Sequence, residues 1–261
     1  MANALAALTI GPLEARGDDG ILADVKAFSA LGLHGAAVAT EIDSRPLEAG
    51  AIAAQLRAVI ESTRPATVKL ACPASPATLE AIAGVLRDAD IRALVLDPAA
   101  ASFDVACLDV LRTQLLPLTL IAVPNVLEAQ AMTGLRVETW EDMREAAQAI
   151  AAMGVANVAV KGGKLGGRQA TDLLFDGADY RDYTAERVPL AGGAGTGTTF
   201  AAAIAATLAK GETVRHSVAA AKAYVTKALQ SSYDLGGRRA PHLFYRYWQP
   251  ASTGLPSRDG D

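Results

Sequence analysis

The sequence predicts an α/β fold, a mostly parallel central sheet with helices on both faces. Three observations carry that expectation. Short apolar runs such as ALTI, ATVKLA, IRALVLD and LTLIAV alternate with helix-like stretches almost from end to end, and strands separated by crossovers of roughly 10–18 residues imply parallel pairing. Of the 261 residues 51% are hydrophobic but only 5% aromatic, so the apolar content is mostly Ala, Leu and Val, which suits helices packed closely on a buried sheet. Most glycine-containing and charged loop segments follow strands, the end at which such sheets bind ligands. A chain of this length buries a sizeable core, and one domain spanning 1–261 is expected, with a disordered tail from about residue 254.

The elements follow in order. Residues 4–11 (ALAALTIG) read as the first strand. Helix 20–32 follows, where Ile21, Leu22, Val25, Phe28, Ser29 and Leu31 form a stripe at helical spacing. HGAAVATEI (34–42) is strand-like, and 46–63 is helical with Pro46 in its first turn. Strands at 66–71 and 91–97 flank a helix near 76–88. A helix near 104–115 leads to a buried strand at 118–123, followed by NVLEAQAMTG (125–134), a helix at 140–153 and VANVAVKGG (155–163). Residues 171–188 read as an antiparallel hairpin turning at Asp176-Gly177, and two helices fill 196–230.

Composition excludes several function classes. A net charge of −4, from 24 basic and 28 acidic residues without a basic run, argues against a nucleic-acid surface. No basic leader precedes an apolar core and no stretch is long and apolar enough to span a membrane, so a cytoplasmic protein is expected. Cys72 and Cys107 lack CxxC spacing and read as reduced, structural thiols; the three histidines are too dispersed for a zinc site.

Residues 192–211, GGAGTGTTFAAAIAATLAKG, concentrate glycines before an alanine-rich helix. Glycines permit positive φ and close backbone approach, and a helix N-terminus leaves unpaired N–H groups, so the segment is either a phosphate cradle or merely a turn. It is not a Walker A loop, because no GK[ST] follows at the required spacing. Its neighbours in the sequence narrow the choice. GILADVKAFSALGLHGAAVAT, Asp97-Pro98, VPNVLEAQAMTG, VKGGKLGG, ATDLLFDG and GAGTGTTFAAAIAATLAKG occur in that order. From about Ala4 to about residue 247 the chain resembles the hydroxymethylpyrimidine and phosphomethylpyrimidine kinases of thiamin synthesis, within the ribokinase-like superfamily.

The resemblance implies a ribokinase-like fold, ATP and magnesium as cofactors, a small pyrimidine as acceptor and a homodimer. It makes Gly195, Thr196 and Gly197 the backbone anion hole for the transferred γ-phosphoryl group, with Thr198 beside it. Asn125 and Glu128 become nucleotide-side residues, Glu128 helping to organise magnesium and its waters. Lys161 and Gly162 lie against the phosphates, and Thr184 to Val188 with the helix 212–230 border the adenine.

The acceptor half departs from the family pattern. A GSDxSGGAG-like loop is expected after the first strand, but the chain reads GPLEARGDDG, with Glu14 in the aspartate's place and Asp18 and Asp19 replacing small residues. A glutamine-asparagine pair is replaced by Arg45-Pro46, a methionine by Cys72, and the loop after Asp97-Pro98 reads AAAS. Glu14, Asp19, Arg45 and Cys72 are therefore the candidate acceptor-binding residues. The usual cysteine after GTG is Thr198, and the usual preceding histidine is Ala194.

That last change bears on the chemistry. An attacking alcohol must shed a proton, and a positioned base contributes about 10²–10⁴ in rate. A thiol, with a reference pKa of about 8.5, can be tuned to that task, whereas a threonine hydroxyl ionises far above neutrality. A phosphate monoester, with a second pKa of about 6, arrives already anionic. The expected activity is therefore phosphorylation of hydroxymethylpyrimidine phosphate to the diphosphate, with weak or absent turnover of the free alcohol. Arg16 or Arg45 either meets the extra phosphate charge or is a solvated loop arginine. Two alternatives stand beside this reading: a kinase for another alcohol, such as a pyridoxal-like compound, with Asp18 or Asp19 as replacement base, and a non-catalytic ligand-binding relative.

Overall fold

The computed structural model describes residues 4–99, 103–188 and 195–249. Its centre is a nine-stranded sheet in the order β3-β2-β1-β4-β5-β6-β7-β8-β9. In chain order the elements are β1 (Ala6–Leu13), α1 (Gly20–Ala30), β2 (His34–Ile42), β3 (Arg45–Pro46), α2 (Ala49–Thr63), β4 (Thr67–Ala71), α3 (Pro76–Asp88), β5 (Leu94–Asp97) and α4 (Val105–Val110). Then follow β6 (Ile121–Ala122), α5 (Val126–Thr133), α6 (Trp140–Ala151), β7 (Asn157–Val160), β8 (Gln169–Phe175), β9 (Tyr180–Glu186), α7 (Thr196–Leu208) and α8 (Val214–Gln230). Strands β2, β1, β4, β5, β6 and β7 run parallel. β3 at one edge and β8–β9 at the other are antiparallel. The expected mostly parallel sheet with helices on both faces is thus present, and β8–β9 form the expected hairpin.

Period-two alternation assigns each strand residue to one of two cores. Leu8, Ile10, Val68, Leu70, Leu94 and Leu96 pack on one face with α2, α3 and α6. Ala7, Val95, Ile121, Val123 and Ala159 face the other way, onto α1, α7 and α8. Helix α7 is buried on all sides, from Thr199 to Ala206. A helix without a polar face is one enclosed by other elements, and its alanines let it lie close to the sheet.

The boundaries of several elements differ from expectation for local reasons. Pro46 lies in the short edge strand β3, and α2 begins at Ala49, capped by the Glu48 carboxylate, which accepts from the Gly50 and Ala51 N–H groups. The helix expected at 104–115 is regular only to Val110; it widens into an i→i+5 turn at Leu111–Leu115 and tightens into a 3₁₀ turn at Leu116–Leu118, where Pro117 has no N–H to donate. Strand β6 is correspondingly short. Ala194, Gly193, Ala100 to Ser102 and the tail from residue 254 lie outside the described residues. Among the described residues no helix is long and apolar enough to cross a membrane.

Between β1 and β4 the chain order switches direction across the sheet, opening a crevice at the strands' C-terminal ends. Gly20 sets the wall of this crevice. Its φ is +60°, and a Cβ there would collide with the Pro12 carbonyl oxygen. Gly20→Ala should therefore cost at least about 1–2 kcal/mol from backbone strain alone, read as a lowered urea midpoint; an unchanged midpoint contradicts the packing described. At the opposite edge, Arg215 of α8 is hydrogen-bonded to Asp176 in the β8–β9 turn and holds its carboxyl down at about 2. A depressed carboxyl pKa contributes stability above the unfolded value of about 3.9, and that contribution is lost as pH falls from about 4 towards 2. Arg215→Ala should weaken this acid dependence in denaturation curves recorded between pH 5 and 2, the part set by the Ala178 and Asp179 backbone donors of the turn remaining.

Candidate active site

Helix α7 opens without a side-chain cap. Gly195, at φ +81°, precedes it, and the Thr199 N–H makes the first intrahelical bond, onto the Gly195 carbonyl. The N–H groups of Thr196, Gly197 and Thr198 precede that bond and have no intrahelical acceptor, the arrangement that binds anions. Only glycine fits at 195, since a Cβ would meet the backbone carbonyl of Asp18 in the loop before α1. The Asp19 carboxylate in that loop accepts from the Gly20 N–H and caps α1. Two helix N-termini thus meet at one end of a cleft of about 640 Å³, whose walls include Asp19, Gly20, Gly195, Thr196, Gly197 and Thr198.

Below this cradle lies a buried polar cluster. Thr9 of β1 and Lys69 of β4 are register partners, and alternation points both towards α1 and α7. Lys69 and Asp24 are fully buried and paired at 2.8 Å. The Thr9 hydroxyl donates to Asp24 Oδ2 at 2.6 Å, the same oxygen that Lys69 holds. Lys69 Nζ also donates to Thr198 Oγ1 at 2.6 Å, and Thr198 donates its own proton to Asp24 Oδ1 at 2.8 Å. The proton's placement follows from chemistry: an ammonium has no acceptor, so the threonine must accept from it and donate to the carboxylate. Burial pushes the Asp24 carboxyl above the ordinary range, against the opposing pull of Lys69.

The cluster continues along the strand ends. Lys69 lies 4.0 Å from Asp97 at the end of β5, Lys161 is paired with Asp97 at 2.7 Å, and Glu128 lies 3.8 Å beyond Lys161. Acids and bases alternate, so each charge has a compensating neighbour, as burial requires. Desolvation acts to lower the Lys161 pKa, but Asp97 and Glu128 outweigh it and keep the ammonium charged. Burial pushes Glu128 up, Lys161 opposing. Asn125 and Glu128 form the capping box of α5: the Asn125 side chain accepts from the Leu127 and Glu128 N–H groups, and Glu128 accepts from the Asn125 N–H at 2.6 Å. A Cβ at Gly197 would stand 3.5 Å from Lys161 Nζ, so this ammonium lies directly against the cradle.

The far end of the cleft is walled by Ala185 to Val188 and by Lys222, Val225, Thr226 and Leu229 of α8. Asp172 of β8, its carboxyl raised by burial against the pull of Lys222, pairs with Lys222 at 3.0 Å and accepts from the Gly162 N–H at 3.0 Å. A side chain at Gly162 would run into the Thr171 carbonyl.

The structure therefore brings Gly195, Thr196, Gly197, Thr198, Asn125, Glu128, Lys161 and Asp19 to one cleft, with Gly162 fixed behind its wall. It does not bring the other acceptor candidates there. Arg45 is exposed on the edge strand β3. Cys72 is packed in the core beneath the sheet, its thiol pushed well up by burial and by the fields of Asp97 and Glu128. Glu14 lies outside the cleft walls, its carbonyl accepting from the Gly17 N–H. Arg16 and Asp18 line a separate cavity of about 230 Å³, where Asp18 pairs with Arg238. Ala71 and Pro12 also line the cleft.

Comparison with known proteins fits this geometry. Residues 15–242 match the family model described as phosphomethylpyrimidine kinase. The chain belongs to the phosphomethylpyrimidine kinase family. It is 39% identical to the hydroxymethylpyrimidine/phosphomethylpyrimidine kinase of Rhizobium meliloti, over 93% of this chain and 98% of that protein. Among solved structures, the pyridoxal kinase of Bacillus subtilis, as its ADP complex, superposes with a TM-score of 0.88 at 29% identity over 94% of this chain and 100% of that one. The phosphomethylpyrimidine kinase of Clostridium difficile gives 0.75 at 30% identity, over 86% and 99%. The fold is ribokinase-like, and a chain of this kinase family is an ATP-dependent phosphotransferase.

Asp24, Lys69, Asp172 and Lys222 were not among the residues singled out from the sequence. Lys69 within ATVKLA held the available signal: a charge inside a strand buried on both faces needs a partner. Removing Lys161, the half-buried lysine of the row, tests the site as a whole. Lys161→Ala leaves Asp97 and Glu128 without their shared cation, and should lower kcat by about 10²–10³, the loss typical of one electrostatic donor to a transition state. Steady-state kinetics with varied ATP measure it; a change confined to KM contradicts a role at the transferring group.

Proposed function

We propose that this kinase transfers the γ-phosphoryl group of ATP to hydroxymethylpyrimidine phosphate, giving the diphosphate in thiamin biosynthesis, and turns over the free alcohol only weakly. The observation that carries the reading is Thr198. Its hydroxyl stands beside the cradle with its proton committed to Asp24 and a lone pair to Lys69, and it is not itself a base at neutral pH. A phosphate-monoester acceptor is largely ionised there, so the absence of a thiol penalises it far less.

The transferring phosphoryl spreads charge over its equatorial oxygens, and fixed donors stabilise that charge. The N–H groups of Thr196 to Thr198 supply them on one side and Lys161 on the other. Glu128 is the residue to hold a magnesium ion's waters; among the described residues no group of three or more His, Cys, Asp or Glu side chains forms a cation site, which suits an ion carried mainly by substrate phosphates. The metal supplies charge neutralisation between the phosphates when bound. Asp19 lies at the acceptor end of the cleft, and Ala185 to Val188 with α8 lie at the nucleotide end. A cytoplasmic homodimer belongs to the same reading by resemblance.

A second reading has a specific observation behind it: the fold superposes closely on pyridoxal kinases, one of them solved with pyridoxal bound. Parallel assays with the free pyrimidine alcohol, its monophosphate and pyridoxal separate the two. The monophosphate should give the highest kcat/KM; a higher value for the free alcohol or for pyridoxal overturns the assignment.

A further inference from the structure

The base that Thr198 does not supply stands directly behind it. We infer that Thr198 and Asp24 form a proton relay, through which the residual turnover of an alcohol acceptor passes its proton out of the cleft. The inference rests on the proposed orientation of substrates, with the acceptor beside Thr198, and adds to it the route the proton takes.

The geometry meets each requirement of such a relay. Thr198 is half-buried and lines the cleft, which puts it within reach of an incoming acceptor. A hydroxyl has two acceptor lone pairs, and Lys69 occupies one of them, leaving the second for the acceptor's O–H. Behind it, Thr198 donates to Asp24 Oδ1, the oxygen that carries neither the Thr9 nor the Lys69 bond. The groups facing Asp24 are thus Thr9 from β1, Lys69 from β4 and Thr198 from α7. Burial, which raises the carboxyl's proton affinity, makes Asp24 a better sink than a solvated aspartate.

The step balances. As the acceptor oxygen bonds to the γ-phosphorus, the bond from phosphorus to the β,γ-bridging oxygen breaks and ADP leaves with the electron pair. The acceptor's O–H proton passes to Thr198 Oγ1 while the threonine's own proton passes to Asp24 Oδ1. Thr198 ends as a hydroxyl again and Asp24 as a neutral carboxylic acid beside the Lys69 ammonium. When products leave, the proton returns by the same path to water in the cleft. Two protons must move together, where a thiolate at this position would take one, so the route is slow. An acceptor that arrives ionised does not need it.

The test compares acceptors across three variants. Thr198→Val keeps the side chain's shape and the Asp24–Lys69 pair but cuts the relay. It should lower kcat on the free alcohol by about 10²-fold or more, the contribution of a positioned base, and lower kcat on the monophosphate at least tenfold less. Thr198→Ser should recover alcohol turnover relative to the valine variant. Asp24→Asn also removes the counter-charge of Lys69, so its readout is the ratio of alcohol to monophosphate turnover, which should fall as in the valine variant. A solvent deuterium effect should accompany wild-type alcohol turnover and exceed that on the monophosphate. Equal losses on both acceptors in Thr198→Val, alcohol turnover that survives Thr198→Val, or a wild-type enzyme without any alcohol turnover would each overturn the relay. A wild type that prefers the alcohol overturns the proposed substrate, yet leaves the relay standing if the valine loss is alcohol-selective.

Discussion

The buried pair between Lys69 and Asp24 is the contact on which the site depends. It joins the middle of a central strand to the first helix, and through Thr9 and Thr198 it ties in β1 and the first turn of α7. A charge without solvent is expensive, and an ion pair repays that cost only when every remaining polar valence is filled. Here the two hydroxyls fill most of them, and Asp97, 4.0 Å from the ammonium, adds a second opposite charge. The position of the anion-binding helix terminus is therefore set by electrostatic necessity inside the core as well as by packing around α7.

From that pair the charges alternate outward along the strand ends to Asp97, Lys161 and Glu128. Three carboxylates against two ammoniums leave the row one negative charge in excess, and its last members lie in the cleft wall. Such a row keeps Lys161 protonated, and on the proposed reading its extra carboxylate would be matched by a cation that arrives with the nucleotide. On the proposed reading the row also spans the distance between the two substrates, from the acceptor at Thr198 to the nucleotide at Glu128.

Much of the architecture was legible in the sequence because its cause is local. Apolar runs separated by amphipathic stretches give the parallel sheet, and Asp176-Gly177 marks the hairpin turn. Gly195 to Gly197 signalled the open helix start, whereas the capping box of Asn125 and Glu128, expected only as nucleotide-side residues, came with the structure. What stayed hidden was set by tertiary register. Thr9 and Lys69 are 60 residues apart and meet only because β1 and β4 pair with those two residues opposite each other. Asp24 sits among alanines on α1 and reads as a surface residue until α7 is laid over it. Arg45 and Cys72 fell beside family motifs in the chain, yet one lies on a sheet edge and the other in the core. Neither fate is visible without the pairing of β2 with β3 and of β4 with β5.

Gly195 rests against the Asp18 carbonyl so closely that no side chain fits between them. On the proposed reading the loop before α1 serves the acceptor and the turn before α7 holds the transferred group, so the two substrates would press on opposite sides of one close backbone contact. Displacement of that loop by an ill-fitting acceptor would then reach the donors of the cradle through this contact. Discrimination between acceptors then has a mechanical component: a poor fit misaligns the nucleotide's phosphates, and selectivity registers in turnover as well as in binding.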